Sequence, residues 1–237
     1  MHNYAYWREV FLGKFTSELE TFVDILEKRL LPSFDDIEEE ARRQSEEAWD
    51  AFMASPGTGD EDPSEYAEAA NEVGVAHYML MSGMRQGMVN LFAAALYHLF
   101  EQQLMLFHRR ELLDPREEND PTLYKLEEVR KRLASCGVDL TRLAAWLTVD
   151  ELRLVANVVK HAEGTSAKQL KERRPDLFKQ PGLPGLGEWE LHPPRRVYQP
   201  LAGEDVYVTL ANLHEYRDAV LRFWRQLSRA MATAPMS

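Results

Sequence analysis

Apolar residues recur at spacings of three and four along most of this chain, the signature of amphipathic helices. Phe11, Phe15, Leu19, Phe22, Val23, Leu26 and Leu30 mark a first helix over about 4–30, and Pro32 stops it. A second helix over about 34–54 has a polar body and a short apolar tip at Trp49, Phe52 and Met53. Residues 55–63, SPGTGDEDP, are a loop by composition. A dense apolar stretch then runs from about Ser64 to Leu112, one long helix or two. It includes Leu80, Met84, Leu91, Leu96, Phe100, Leu104 and Phe107, and it is the expected spine of the core. Gly83 and Gly87 lie on one face of it, four apart, where a neighbouring helix can come close.

Shorter helices follow, bounded by readable caps. Asp120-Pro121 opens one and Gly137 closes it. Asp139 starts another that ends near Leu147, and Thr148 with Glu151 reads as a capping box. The helix opened there is closed by Gly164. Residues 179–205 hold five prolines and four glycines, the composition of a long loop of the lid or binding type. Val206–Val208 is the one short stretch with strand character, and Thr209 caps a last helix over about 210–232. The predicted fold is therefore all-α: a helical bundle with long antiparallel helices and at most one short strand near 206–208. A single domain over 1–237 is expected, with 1–54 as an acidic N-terminal extension and 64–232 as the core bundle.

Charge sharpens this division. Residues 1–75 carry 6 Lys/Arg against 19 Asp/Glu, whereas residues 151–200 carry 9 against 6. The whole chain, at −11, is too acidic for a generally basic nucleic-acid coat protein. The lone Cys136 excludes an intrachain disulfide and a Cys-rich zinc site. No apolar run approaches the roughly 18 residues of a membrane span. The opening MHNYAYWREV lacks a charged-then-apolar secretion signal, so the cytoplasm is the expected compartment and no membrane partner is expected.

One helix stands apart. Glu151–Ala162 is apolar around most of its circumference, but Arg153, Asn157, Lys160 and His161 share one narrow stripe. Burying four such groups is costly unless they face a cleft, a subunit interface or a satisfied polar network. The bland alternative is a purely structural network.

Asn157-Val158-Val159-Lys160-His161, late in a helix of an all-α bundle, resembles the HEPN superfamily. That resemblance implies a helical bundle that dimerises. It also implies an RNA-directed function in a bacterial-type defence or toxin–antitoxin system, in many members metal-independent endoribonuclease activity. The family signature is an Arg, a polar residue, a few variable residues and a His. Asn157 and His161 match it, while Ala156 stands where the family has Arg. Arg153, one turn earlier, and Lys160, beside His161, are the cations left to take that role. In metal-free RNA cleavage the substrate 2′-hydroxyl attacks, a histidine moves the proton, and a cation stabilises the phosphate. The expected catalytic set is thus His161, Asn157, Arg153 and Lys160, with no cofactor and no metal. The expected partners are a second copy of the chain, RNA, and a protein such as an antitoxin or defence-system subunit.

Two other readings remain. One is a HEPN-like binding or scaffold subunit without catalysis. The other is a metal-dependent helical-bundle enzyme using His77, His98 and His108 with Glu72 and Glu101; however, those histidines do not share one helix face. Lys168, Lys171, Arg173, Arg174, Lys179, Arg195 and Arg196 are candidates to track an RNA backbone. Trp189, His192 and Tyr198 are candidates to cover the stripe.

Overall fold

The structure, a computed structural model, describes residues 3–54, 62–180 and 195–233. It is an all-α bundle. The chain opens with a helical run built from α1 (Tyr4–Glu9), a π-turn over Val10–Phe15, α2 (Thr16–Ile25) and a second π-turn over Leu26–Leu30. The π-turns have a physical reason in the sequence. Trp7, Phe11, Phe15, Leu19 and Val23 repeat every four residues, a longer period than the 3.6 of an α-helix. Wide i→i+5 turns slow the rotation and keep that row facing inward. All five are buried.

α3 (Ile37–Ala54) and α4 (Pro63–Phe107) form a helical hairpin. Asp62 caps α4 by accepting from the Ser64 N–H, and Pro63 sits at its first turn. α4 is one uninterrupted helix of 45 residues, about 68 Å long, extended by a π-turn to Leu112. Its first half packs mainly on α3, with the 200–203 turn reaching it at Gly83, and its second half enters the bundle. Gly74 lets α3 in close, since a Cβ there would stand 2.7 Å from the Ala41 carbonyl oxygen. The remaining helices among the described residues are α5 (Leu126–Ser135), α6 (Trp146–His161), α7 (Thr165–Arg173) and α8 (Leu210–Thr233), with short 3-10 turns at Leu140–Arg142, Pro175–Phe178 and Pro200–Ala202 between some of them.

The core is a row of aromatic rings between the N-terminal run, α4 and α8. Trp224 stacks on Phe11 at 4.9 Å between centroids and meets Phe15 at 5.0 Å and Phe100 at 5.6 Å. Its indole N–H donates to Gln103 Oε1 at 3.1 Å, which satisfies the one polar atom the ring carries inward. Trp7 closes the row against Phe107 and donates to Glu111 Oε2 at 2.7 Å. Residues 4–31 therefore belong to the core, and the separable acidic part is α3 with the first half of α4. Within the stretch expected as an acidic extension over 1–54, the aromatic row of the first thirty residues is buried in the bundle.

The expectation of at most one strand stands, and two others change. Among the described residues Val206–Val208 forms no strand. Its backbone is held by α4, with Asn90 donating to the Val206 carbonyl at 2.7 Å and accepting from Val208 N–H at 3.1 Å, and by the Leu177 carbonyl, which accepts from Tyr207 N–H at 2.8 Å. Thr148 is not a cap, because α6 begins at Trp146. The N-cap residue of α6 is Ala145, whose N–H donates to Gln226 Oε1 of α8 at 3.1 Å. The face of Gly83 and Gly87 receives the turn at 200–203 of the same chain rather than another helix. A Cβ at Gly87 would lie 2.2 Å from the Leu201 carbonyl oxygen. Among the described residues no helix is long and apolar enough to cross a membrane.

Candidate functional site

α6 crosses the bundle between α4, α7 and α8, with Leu152, Leu154, Val155, Val158 and Val159 all buried. It ends at Ala162, whose φ of 56° turns the chain sharply, and Gly164, with φ 150°, leads into α7. The α6 stripe thus lies beside the first turns of α7, and Asn157 ties the two together by donating to Ser166 Oγ at 3.3 Å.

The four stripe residues separate into two pairs. Arg153 is half-buried and committed. Its Nε and Nη2 both reach Asp150 Oδ1 at 2.8 Å. Arg173 of α7 holds the other carboxylate oxygen of Asp150 at 2.8 Å. Burial pushes the Asp150 carboxyl up, but hydrogen bonds from Arg173 and Arg153 outweigh this and leave it below the usual carboxylate range. Asn157 is also half-buried, in its contact with Ser166. Lys160 and His161 are exposed at the helix end and make no hydrogen bond or ion pair among the described residues. One turn of α7 further on, Lys168 is likewise exposed and unpaired there.

The stripe is therefore a locked ion pair at one end and free groups at the other. Ala156 lies only 8% exposed, so the position where the HEPN family carries Arg points into packing here. Arg153 does not replace that arginine as a free cation, since its charge is balanced by Asp150. Sequence reasoning passed over Asp150 and Ser166, and it read Arg173 as an RNA contact rather than as a partner of Asp150. Asp150 was readable, because an acid three residues before an Arg on a helix is a neighbour at i,i+3.

The downstream cations divide in the same way. Lys171 pairs with Glu163 at 3.4 Å, and Arg174 pairs with Glu151 at 2.5 Å and with Asp176 at 2.8 Å. Glu151 also accepts from the Tyr216 hydroxyl at 2.8 Å. These groups fasten α7 to α6 and α8. Lys179, Arg195 and Arg196 make no ion pair among the described residues. Trp189 and His192 lie outside the described residues, and Tyr198 is exposed.

The three histidines of α4 are apart from one another. His77 meets Glu40 at 3.3 Å, His98 meets Glu101 at 3.5 Å, and His108 is fully buried. Among the described residues no group of three His, Cys, Asp or Glu is placed to hold a metal ion. No family model, curated protein or solved structure matches the chain.

Proposed function

We propose that this chain is a HEPN-like protein that acts on RNA in a bacterial-type defence or toxin–antitoxin system, with metal-independent endoribonuclease activity at the end of α6. The observation that carries the reading is the pair His161 and Lys160. Both are exposed at the end of a helix whose apolar face is buried, without a hydrogen bond or ion pair among the described residues, and Asn157 is fixed one turn before them. An exposed imidazole can move a proton, and Lys160 with Lys168 can meet a phosphate. In this reading a second copy pairs across the α6 face and places two His161 side chains over one phosphate.

A second reading has its own observation. Arg153 is spent on Asp150, and position 156 is closed to a cation. That favours a HEPN-like scaffold subunit that binds without cutting.

The test is cleavage of a labelled single-stranded RNA in EDTA by wild type and His161→Ala, with binding read in parallel by anisotropy. The ribonuclease reading expects cleavage by wild type and none by the variant. Binding that depends on Lys160 and Lys168, with no cleavage by either protein, leaves the scaffold. No binding and no cleavage removes both.

A further inference from the structure

From Val73 to Leu91, α4 exposes much apolar surface, with Val75, Tyr78 and Met79 exposed on other faces of the helix. Val73, Leu80, Met84 and Leu91 are 39, 63, 55 and 50% exposed. At about 100° per residue these four fall within about 20° of a single line on the helix. The line is about 27 Å long, five turns of helix. Ala76 lies beside it, and Tyr66, stacked on Phe52 of α3, extends it toward the hairpin tip. A regular apolar row of this length on solvent is the pattern that buries against another helix.

The flanks of the row are acidic. On one side, roughly 80–100° from the line, stand Glu65 and Glu72, which pair with no base among the described residues. On the other side α3 runs antiparallel, and its Glu40 reaches His77, about 40° from the line. No Lys or Arg occurs between Arg43 and Arg85. The described hairpin residues 36–54 and 62–84 hold eleven acidic side chains against Arg42 and Arg43. Arg42 is already engaged with Glu39 and Glu46. A second copy of this surface would place carboxylates against carboxylates, which disfavours self-pairing. The complementary occupant is a helix with the same apolar period and the opposite charge.

We infer that the α3–α4 hairpin is a docking arm for a basic amphipathic helix of a partner protein, seated along Val73, Leu80, Met84 and Leu91 and held by Glu65, Glu72 and the α3 carboxylates. This is a different surface from the end of α6 and does not depend on the RNA reading. The apolar row supplies the contact, and the acidic flanks select the charge of the partner. Because those carboxylates are exposed, binding weakens as salt rises.

The test uses the full chain and two synthetic helical peptides of roughly 20 residues with one leucine face, one flanked by Lys and one by Glu. Fluorescence anisotropy at low salt reads their affinities. The Lys-flanked peptide is expected to bind at least about tenfold more tightly than the Glu-flanked one. Leu80→Ser with Met84→Ser is expected to abolish that binding. Glu65→Lys with Glu72→Lys is expected to reverse the preference between the peptides. These positions are exposed, and unchanged melting curves confirm that each variant is folded. Equal affinities, no binding of either peptide, or a dimer seen by sedimentation that Leu80→Ser with Met84→Ser breaks would each overturn the inference.

Discussion

Among single residues, His108 is the one most at odds with its surroundings. It is fully buried at the end of α4, and neither ring nitrogen has a hydrogen-bond partner. Burial and the nearby Arg132 push its pKa below 6.5, against a smaller opposite pull from Glu128 and Glu117. The folded state thus prefers the neutral ring, while the unfolded chain takes up the proton at its ordinary value. The stability His108 contributes is complete above about pH 6.5 and is lost as pH falls below it. Urea melts from pH 8 to pH 5 should show wild type losing more stability than His108→Leu, and the difference should open between pH 7 and 5. Parallel curves for the two proteins would show that the ring is solvated on protonation. His161 is the contrasting case. It is exposed and unpacked, so His161→Ala is expected to change stability by no more than about 0.5 kcal/mol, which keeps its cleavage assay interpretable. The same kind of detail limited what the sequence could tell about the stripe. Arg153, Asn157, Lys160 and His161 do share a face, as the helical period requires. Which of them is free was set by Asp150 and by Arg173, twenty residues away from Arg153 and brought back by a turn at Ala162.

Whole elements depend on contacts of a different kind. The long loop returns to α4 through Asn90, which is fully buried and has every polar atom engaged. It donates to the Pro200 and Val206 carbonyls and accepts from Val208 N–H and Gln86 Nε2. Asn90→Ala leaves two carbonyls and an N–H without that partner, and is expected to cost on the order of 3 kcal/mol in a thermal or urea melt. Gly87→Ala tests the same junction by steric means. Its Cβ would collide with backbone of the 200–203 turn, so it should also destabilise, whereas the same change at Gly13, which has nothing within 4 Å, should not. The element pattern was largely legible: the helices over 37–54, 63–107 and 210–233 follow directly from apolar spacing. The loop was not. Val206–Val208 has strand composition, but its hydrogen-bond partners include Asn90 and Gln86, more than a hundred residues earlier, and the Leu177 carbonyl, and no local signal announces them. Thr148 failed as a cap for a related reason, since Trp146 against Phe223 and Gln226 at Ala145 start the helix earlier than local chemistry would.

At the scale of the molecule, charge was a poor guide to the border between core and periphery. The acidic N-terminal third looked detachable, but its first thirty residues carry the aromatic row that α8 and α4 close upon. Only the hairpin is peripheral. α4 spans both regions, and this gives one helix two very different environments. From Val89 to Phe107 its inner face is sealed by the bundle, and among the described residues from Pro63 to Ser82 it leans mainly on α3. Amide protons report such a contrast directly, because each exchanges with solvent only when its own hydrogen bond opens. Deuterium uptake along α4 is expected to be fast in the hairpin half and slow in the bundle half, with the step near Gln86–Asn90, where the loop is pinned. The intact helix would then act as a gauge of its own surroundings: a helix seated from Val73 to Leu91 should slow exchange most in the first half, where α4 has the least cover.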